Sequence, residues 1–349
     1  MEFLSEYGLF LAKAVTVVIT IVAILIAIIA LTSKQKAKKG ELEITDVSEQ
    51  IKDNKKSIAQ QLLTESQLKL KNKEEKKLQK QKAKEEKAAA KNNTQKKSTP
   101  QLYVIDFNGS IDAKEVSSLR EEVTAIISVA NENDEVFVRL ESGGGMVHGY
   151  GLAASQLQRL KDNNISLTIS VDKVAASGGY MMACVADKII AAPFSIIGSV
   201  GVIAQIPNFN KLLKKHDVEF EQLTAGQYKR TLTMFGENDD LGREKFKQEL
   251  EETHQLFKQF VSSHRPQLDI DKIATGEHWY GTQALDLQLI DKIQTSDDYL
   301  LDHFEGKHIV QVRYQKAKKL ADKIGKSVAA SVETSLLTVL QGNVSRFFK

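Results

Sequence analysis

The stretch V-D-K-V-A-A-S-G-G-Y-M-M-A, residues 171–183, decides the fold, and the rest of the chain is organised around it. An apolar run at residues 165–171 leads into Ser177, and a helix-compatible run at residues 180–186 follows it. Small residues on both sides would place this serine at a sharp strand-to-helix turn. The helix N-terminus beyond it offers free N–H groups to an anion. The pattern predicts an exposed nucleophile, although a Gly-rich turn before a buried helix would look the same.

Strands and helices alternate around this turn. Strands are predicted at residues 102–107, 136–140 and 165–171, and helices at residues 113–130 and 147–160. This order predicts an α/β fold with a mainly parallel sheet and helices packed on it. Sites in such sheets form at the carboxyl ends of strands. The Gly-rich residues 143–145 and 177–179 both fall at such ends.

Shorter elements are expected beyond the turn. They are buried strands within residues 188–206, a helix at 208–216, a strand at 220–223, a long charged helix at 240–264, a helix and a short strand within 276–291, and a last strand at 308–314. Residues 188–206 are apolar enough to suggest a membrane span. Pro193, the glycines and the β-branched residues there favour short buried strands instead. We therefore assign residues 101–316 to one working domain.

The N-terminus contains an uncharged run of 18 residues, 14–31, which is long enough to cross a bilayer as a helix. Residues 1–33 are therefore predicted to form a transmembrane anchor in contact with membrane lipid. Glu2 and Glu6 precede the run, and four lysines follow it within residues 34–39. By the positive-inside rule, this asymmetry favours a cytoplasmic location for the rest of the chain.

Two charged or amphipathic segments flank the working domain. Residues 34–99 contain 19 Lys, no Arg and 10 acidic residues, a net charge of +9 in a chain whose overall charge is +3. A basic arm on an acidic body argues against nucleic-acid binding, and residues 34–100 are predicted to be a charged, partly helical spacer. Residues 317–349 carry an apolar stripe that suits an oligomer contact, a membrane-surface helix or packing on the domain.

A nucleophilic serine needs a base, and the sequence offers histidine or lysine. His148 is the only histidine near a Gly-rich loop, but no Asp is placed to orient it, whereas His216, His254 and His264 read as solvent-facing. A buried lysine can act as a base because desolvation lowers its pKa. Lys229, in a loop followed by T-L-T-M-F, is the candidate; the simpler interpretation is an exposed loop lysine.

The chain contains a single cysteine, Cys184, which excludes an internal disulfide and a cysteine-based metal site. A small buried thiol is its default role. Neither a metal nor a cofactor is expected.

Four separated motifs carry a family resemblance. They are E-S-G-G-G-M-V at residues 141–147, V-D-K-V-A-A-S-G-G-Y at 171–180, I-I-G-S-V-G-V-I at 196–203 and T-A-G-Q-Y-K-R at 224–230. Together they resemble the serine–lysine signal peptide peptidases of the SppA family, in their SohB branch. The resemblance covers roughly residues 102–295, and the N-terminal run with its Lys-rich spacer extends it to the layout of that branch.

The resemblance implies a ClpP/crotonase-like fold, a Ser-Lys dyad and a ring-like homo-oligomer. It assigns the nucleophile to Ser177, the general base to Lys229, the orientation of the lysine amine to Ser199, and the oxyanion hole to N–H groups of Gly178 and of the Gly144/Gly145 loop. Hydrophobic peptides or fragments of membrane and secretory proteins are the expected substrates. Related peptidases favour the outer face of the bacterial inner membrane, which opposes the charge pattern.

One departure from the family pattern lies in the oxyanion loop, where Gly143 stands at a position often occupied by proline. This change loosens the loop and removes no donor. Two other functions remain open from the sequence. One is a crotonase-like acyl-CoA enzyme, which the predicted anchor and the Ser177/Lys229 pair oppose. The other is a catalytically inactive, membrane-tethered scaffold or assembly factor.

Overall fold

The computed structural model describes residues 2–32, 40–64, 66–70, 73, 77, 80 and 99–316. The chain divides into two compact units, one containing helix α1 (Glu2–Thr32) and the other spanning residues 42–314. Over the part of the chain that is described, no helix combines the length and the hydropathy needed to cross a membrane. The apolar stripe predicted within residues 317–349 lies outside the described residues.

Strand β1 (Glu41–Asp46) and helix α2 (Val47–Leu62) lie inside the segment predicted to be a spacer. The Asp46 carboxylate caps α2 by accepting the Glu49 N–H at 2.8 Å. Strand β1 joins the edge of the main sheet, and Val47 and Ile51 pack against a buried apolar cluster of the domain. The spacer prediction is therefore wrong for residues 41–62. Their polar composition is typical of a spacer, but they form a strand and a helix of the folded domain.

The remaining helices and strands follow in chain order. They are β2 (Gln101–Asn108), α3 (Val116–Ile127), β3 (Glu135–Glu141), α4 (Val147–Asp162), β4 (Ser166–Val171), β5 (Val174–Ala176), α5 (Gly178–Ala183), β6 (Lys188–Ala191), β7 (Ile196–Gly198), α6 (Asn210–Lys215), α7 (Asp240–His264), α8 (Ile270–Ile273), β8 (His278–Tyr280), α9 (Gly281–Asp286), β9 (Lys292–Ile293), α10 (Ser296–His303) and β10 (His308–Gln315). The predicted β-α-β-α-β order is confirmed.

Among the described residues, the main sheet has seven strands in the order β1-β10-β2-β3-β4-β6-β9. Every pair from β10 to β9 is parallel. A smaller sheet has the order β5-β7-β8, with β5 parallel and β8 antiparallel to β7. The mixed α/β fold with a mostly parallel sheet agrees with the predicted ClpP-like class. The carboxyl ends of β3 and β5 lead directly into the two Gly-rich segments.

The core forms where helices cover the parallel sheet. Strand β4 is buried at every residue after Ser166, which is typical of a parallel strand covered on both faces. Helix α3 buries one apolar side, with Leu119, Val123 and Ile126 each at most 1% exposed. Cys184, which follows α5, is fully buried, and this burial raises the pKa of its thiol to about 12.

Residues 220–223, predicted to be a strand, have no regular secondary structure. The aromatic residue that suggested the strand is held by ring contacts instead. Phe220 packs on Phe235 with ring centroids 5.8 Å apart, and Phe209 stacks on Phe235 at 6.1 Å. Between β7 and α7, helix α6 is the only regular element among the described residues. This segment, residues 199–239, is a long excursion from the sheet and contains Lys229.

Candidate active site

Ser177 lies between β5 and α5, in the sharp turn that the sequence predicts. Its φ of 52° is in the left-handed region, which a residue with a side chain rarely adopts. The turn is held from both sides, because the Ser177 N–H donates to the Gly198 carbonyl at 2.8 Å and its carbonyl accepts the Met181 N–H at 3.0 Å. The Ser177 side chain does not cap α5. The hydroxyl is thus held at the helix N-terminus by backbone bonds alone.

The two Gly-rich segments approach each other closely. At Gly144, whose φ is 87°, an added Cβ would lie 2.7 Å from both the Gly178 nitrogen and the Ser177 Cβ. Only glycine fits this contact. An isolated parallel bridge between Ser142 and Ala175 aligns the segments just before they meet. Gly144 and Gly178 therefore lie beside Ser177, and Gly145 follows Gly144 in the same segment.

A buried hydroxyl network supports the Gly144 loop, and sequence reasoning missed it. The Tyr150 hydroxyl donates to the Ser110 carbonyl at 2.9 Å and lies 2.6 Å from the Ser142 Oγ. The Ser142 Oγ in turn accepts the Gly144 N–H at 3.1 Å. The Gly144 N–H is therefore engaged within this loop. Ser142 belongs to the E-S-G-G-G motif, so the motif itself carried a signal for the network.

Ser199 follows the end of β7, and its φ is also 52°. Its N–H donates to the Glu277 carbonyl at 2.7 Å, and its hydroxyl makes a long 3.4 Å hydrogen bond to the Gly276 carbonyl. Strand β8 fixes this corner, because Ile197 is aligned with Trp279 and the Trp279 ring leaves no room for a side chain at Gly198. Because this hydrogen bond is long, the Ser199 hydroxyl can exchange it for a shorter one to another group.

Ser177 and Ser199 share one cavity of about 660 Å³. Its walls are formed by residues of the Gly-rich segments, of the start of α4, of α5, of the chain after β7, of α7 and of the chain before β8. They are Gly143, Gly144, Gly145, Val147, Ser177, Gly178, Met181, Ser199, Gly201, Val202, Ile203, Thr253, His254, Phe257, Thr275 and Gly276. The structure thus brings together five of the six predicted site residues.

Lys229 is the sixth, and it does not line this cavity. It is exposed in the loop between α6 and α7, where its N–H donates to the Gly226 carbonyl at 3.1 Å. Within a single copy of the chain, Lys229 and Ser177 do not share a cavity.

His254 was read from the sequence as solvent-facing, and the structure corrects this interpretation. It projects from α7 to the wall of the Ser177 cavity, one turn before the buried Phe257. Its Nε2 is shielded from solvent and has no hydrogen-bond partner among the described residues. The residues around it in sequence are charged, so composition alone hid its position. No group of His, Cys, Asp and Glu suited to a metal ion occurs among the described residues.

A buried ion pair fixes the far end of α7. Arg265, which is 4% exposed, forms two hydrogen bonds to the Asp291 carboxylate and one to the Gln288 carbonyl. Although burial opposes its charge, the bonds to Asp291 raise the pKa of Arg265. The Tyr180 hydroxyl of α5 donates to the neighbouring Leu289 carbonyl at 2.9 Å. The helix after Ser177 and the helix carrying His254 are therefore tied to the same segment.

Comparison with known proteins agrees with this architecture. Residues 2–157 match the family model described as the N-terminal region of peptidase family S49, and residues 159–309 match that of peptidase family S49 itself.

Three similar proteins extend over nearly the whole chain. A probable protease SohB from Haemophilus influenzae is 53% identical over 95% of this chain and 94% of its own. Probable SohB proteases from Buchnera aphidicola are 53% identical over 86% of this chain and 99% of theirs (subspecies Schlechtendalia chinensis), and 49% identical over 97% and 98% (subspecies Acyrthosiphon pisum). The chain is therefore a member of peptidase family S49 and a SohB-type peptidase of the SppA family.

Proposed function

We propose that the chain is a serine endopeptidase in which Ser177 attacks the peptide carbonyl and Lys229 is the general base. The observation that supports this most is the position of Ser177 at the wall of a cavity that Gly178 and Gly145, the proposed oxyanion donors, also line. Donors placed where negative charge develops are usually the largest single contribution to acyl transfer. The first-turn N–H of a helix adds its dipole to that effect.

The chemistry proceeds through an acyl-enzyme. Neutral Lys229 takes the Ser177 proton while the Oγ bonds to the carbonyl carbon, and the oxyanion accepts the N–H groups of Gly178 and Gly145. The C–N bond then breaks, and the lysine ammonium gives its proton to the leaving amine. Water then attacks the ester carbonyl while the lysine takes its proton. The C–Oγ bond breaks, the lysine ammonium returns the proton to the Ser177 oxygen, and the acid leaves. Ser199 orients the lysine amine by exchanging its long bond to Gly276 for one to the Nζ.

Lys229 must reach Ser177 from outside the cavity, and a neighbouring copy of the chain is the proposed source. The excursion that carries Lys229 exposes an unusual number of large apolar side chains for a solvated loop. They are Ile203, Ile206, Phe209, Leu212, Val218, Phe220, Leu223, Tyr228, Met234 and Phe235. Exposed apolar surface of this extent marks an interaction site. A homo-oligomer would cover this surface and would remove the lysine from water.

The proposed substrates are hydrophobic peptides, including fragments of membrane and secretory proteins. Five apolar side chains line the cavity that contains the nucleophile: Val147, Met181, Val202, Ile203 and Phe257. We also propose that the uncharged run at residues 14–31 anchors the protein in the bacterial inner membrane. A reporter fused to the C-terminus decides between the cytoplasmic side favoured by the lysines and the outer side favoured by the resemblance.

Activity-based labelling tests the dyad directly. A fluorophosphonate should label Ser177 of the purified protein, as mapped by mass spectrometry. Ser177→Ala and Lys229→Ala should each abolish peptide hydrolysis, whereas Lys215→Ala, an exposed lysine on α6, should leave it unchanged. Equal turnover by the wild type and Lys229→Ala would refute the dyad. Absence of both turnover and labelling in the wild type would favour the inactive scaffold.

Mixing the two inactive variants tests the source of the lysine. If a neighbouring copy supplies Lys229, co-assembly of Ser177→Ala with Lys229→Ala creates some sites with both residues intact, and activity returns. If each copy uses its own Lys229, the mixture stays inactive.

A further inference from the structure

Most polar side chains that line the Ser177 cavity are already engaged. The Thr253 hydroxyl donates to the Glu249 carbonyl at 2.8 Å, the Thr275 hydroxyl to the Glu277 carboxylate at 2.8 Å, and the Ser199 hydroxyl to the Gly276 carbonyl at 3.4 Å. His254 is the only titratable residue among those lining the cavity. Its Nε2 has no partner within the described part of the chain. One residue of this wall thus has a buried polar atom without a hydrogen bond.

Two other histidines, His264 and His308, have hydrogen-bond partners at both ring nitrogens. The ring of His264, on the same helix, bonds to the Phe260 carbonyl through Nδ1 and to the Gln158 amide oxygen through Nε2. His308 likewise contacts acceptors through both ring nitrogens. A buried polar atom left unpaired lowers stability, so structural histidines acquire partners. The Nε2 of His254 departs from this rule at the wall of the active-site cavity.

We propose that His254 is a substrate-positioning residue, whose Nε2 forms a hydrogen bond with a main-chain group of the bound peptide. The proposal rests on the proposed peptidase function and gives the ring no part in proton transfer. The neighbouring wall residues Met181, Val202 and Phe257 are apolar, so they suit side chains of the substrate. The main chain of the bound peptide then supplies the polar group that pairs with the His254 ring.

The chemistry of the imidazole suits this role. In the neutral ring Nε2 is a donor or an acceptor according to the tautomer, so it can pair with either an N–H or a C=O group. The χ2 torsion of histidine is soft, so a rotation of the ring turns Nε2 towards a peptide in the cavity. One fixed polar contact in an apolar wall orients a ligand and sets its register.

The decisive experiment measures peptide affinity without turnover. In the full-length Ser177→Ala background, binding of a fluorescent hydrophobic peptide is followed by anisotropy. His254→Leu should raise the Kd about 3- to 10-fold, the loss expected for one hydrogen bond. His254→Gln, whose amide nitrogen can replace Nε2, should restore the Kd to within about twofold of the parent. Gln255→Leu, an exposed change on the same helix, should have no effect. An unchanged Kd in His254→Leu overturns the proposal.

Two further readouts separate positioning from other roles. In the active enzyme, His254→Leu should raise the KM and leave both the kcat and the fluorophosphonate labelling rate of Ser177 within about twofold of wild type. A labelling rate that falls with the hydrolysis rate would make His254 an activator of Ser177 instead. The denaturation midpoint of ligand-free His254→Leu should be unchanged or higher, because the variant removes an unpaired polar atom. A lower midpoint would indicate a structural histidine.

The outcome for His254 is distinguishable from that for the peptidase itself. A wild type that neither cleaves peptides nor reacts with the fluorophosphonate contradicts the proposed function. The dependence of peptide affinity on residue 254 in the Ser177→Ala background still decides the positioning role in that case.

Discussion

Glu122, on α3, is a buried carboxyl whose ionisation opposes folding. It is 4% exposed, and its Oε1 accepts the Tyr314 N–H at 2.7 Å. Burial raises the pKa of Glu122 from 4.5 to about 7. Between these two values the folded state binds more protons than the unfolded state, so the free energy of unfolding falls as the pH rises through this window.

Glu122→Gln should therefore remove this pH dependence. The amide oxygen can still accept the Tyr314 N–H, and an uncharged group does not have to ionise in the core. The variant should match the wild type near pH 4.5 and exceed it by about 1–3 kcal/mol at pH 8. Urea denaturation at both pH values measures the difference. A parallel pH profile in the two proteins would contradict the assignment.

The Tyr150 hydroxyl supports the Gly144 loop, the proposed oxyanion loop, so Tyr150→Phe should weaken catalysis more than substrate binding. Loss of the bonds to Ser110 and Ser142 leaves the Gly144 loop less fixed. The kcat should fall about 3- to 10-fold with little change in the KM, and stability should fall by about 1 kcal/mol. Steady-state kinetics and urea denaturation provide the two values. Tyr314→Phe, far along β10, is the control; an equal kcat in Tyr150→Phe and the wild type would rule out the supporting role.

The turn at Ser177 and the Gly-rich segment beside it could be predicted from sequence because their signal is local. The small residues on both sides of Ser177 predict a turn. Gly144 is required because the segment at residues 143–145 contacts the segment at residues 177–179 too closely for a side chain. The position of Lys229 depends on a long excursion with little regular structure, which no short pattern describes. His254 was missed because a helix in a charged sequence still turns one side inward.

At the scale of elements, the segment β1–α2 is attached to the sheet by a buried contact. The Ser48 hydroxyl, 3% exposed, accepts the N–H of the fully buried Ile309 at 2.9 Å. Ser48→Ala should lower the free energy of unfolding by about 1–3 kcal/mol, because the Ile309 N–H loses its partner. Chemical denaturation measures this loss, with the exposed Ser117→Ala as the control. Equal stability of the two variants would mean that α2 does not dock on β10.

A second contact makes the same attachment sensitive to acid. Although partial burial opposes it, hydrogen bonds from His308 and from the Glu49 N–H lower the pKa of Asp46. The stability that Asp46 contributes is present above its unfolded value of 3.8 and is lost as the pH falls through its lower folded value. The segment β1–α2 should thus remain docked throughout the neutral range.

The order of the elements followed from sequence wherever apolar periodicity was strong. The bounds of α7 agree with the predicted residues 240–264, and Asp239 caps the helix at the predicted start. Strand β1 escaped detection because it is an exposed edge strand with a polar sequence, E-L-E-I-T-D. The prediction of a strand at residues 220–223 was wrong. Phe220 packs on the Phe235 ring in a loop, and an aromatic residue can make such a contact without forming a strand.

At the scale of the whole molecule, the excursion between β7 and α7 predicts self-association. Leu223 is 86% exposed at its surface and lies outside the Ser177 cavity. Leu223→Glu should break the oligomer and reduce hydrolysis at least 10-fold while the circular dichroism spectrum stays unchanged, because a charge cannot be buried in an apolar interface without a partner. Size-exclusion chromatography with light scattering measures the mass. A fully active monomeric wild type would contradict the assembly.

The burial of Cys184 gives the protein an experimental advantage. A thiol that ionises only near pH 12 has almost no thiolate at neutral pH, and the thiolate is the form that reacts with maleimides. The chain thus behaves towards such reagents as though it had no cysteine. A cysteine introduced at Tyr228, next to Lys229, would carry a fluorophore or a crosslinker at one defined point. A crosslink from this position to a second copy would test whether the loop that carries Lys229 approaches a neighbouring chain.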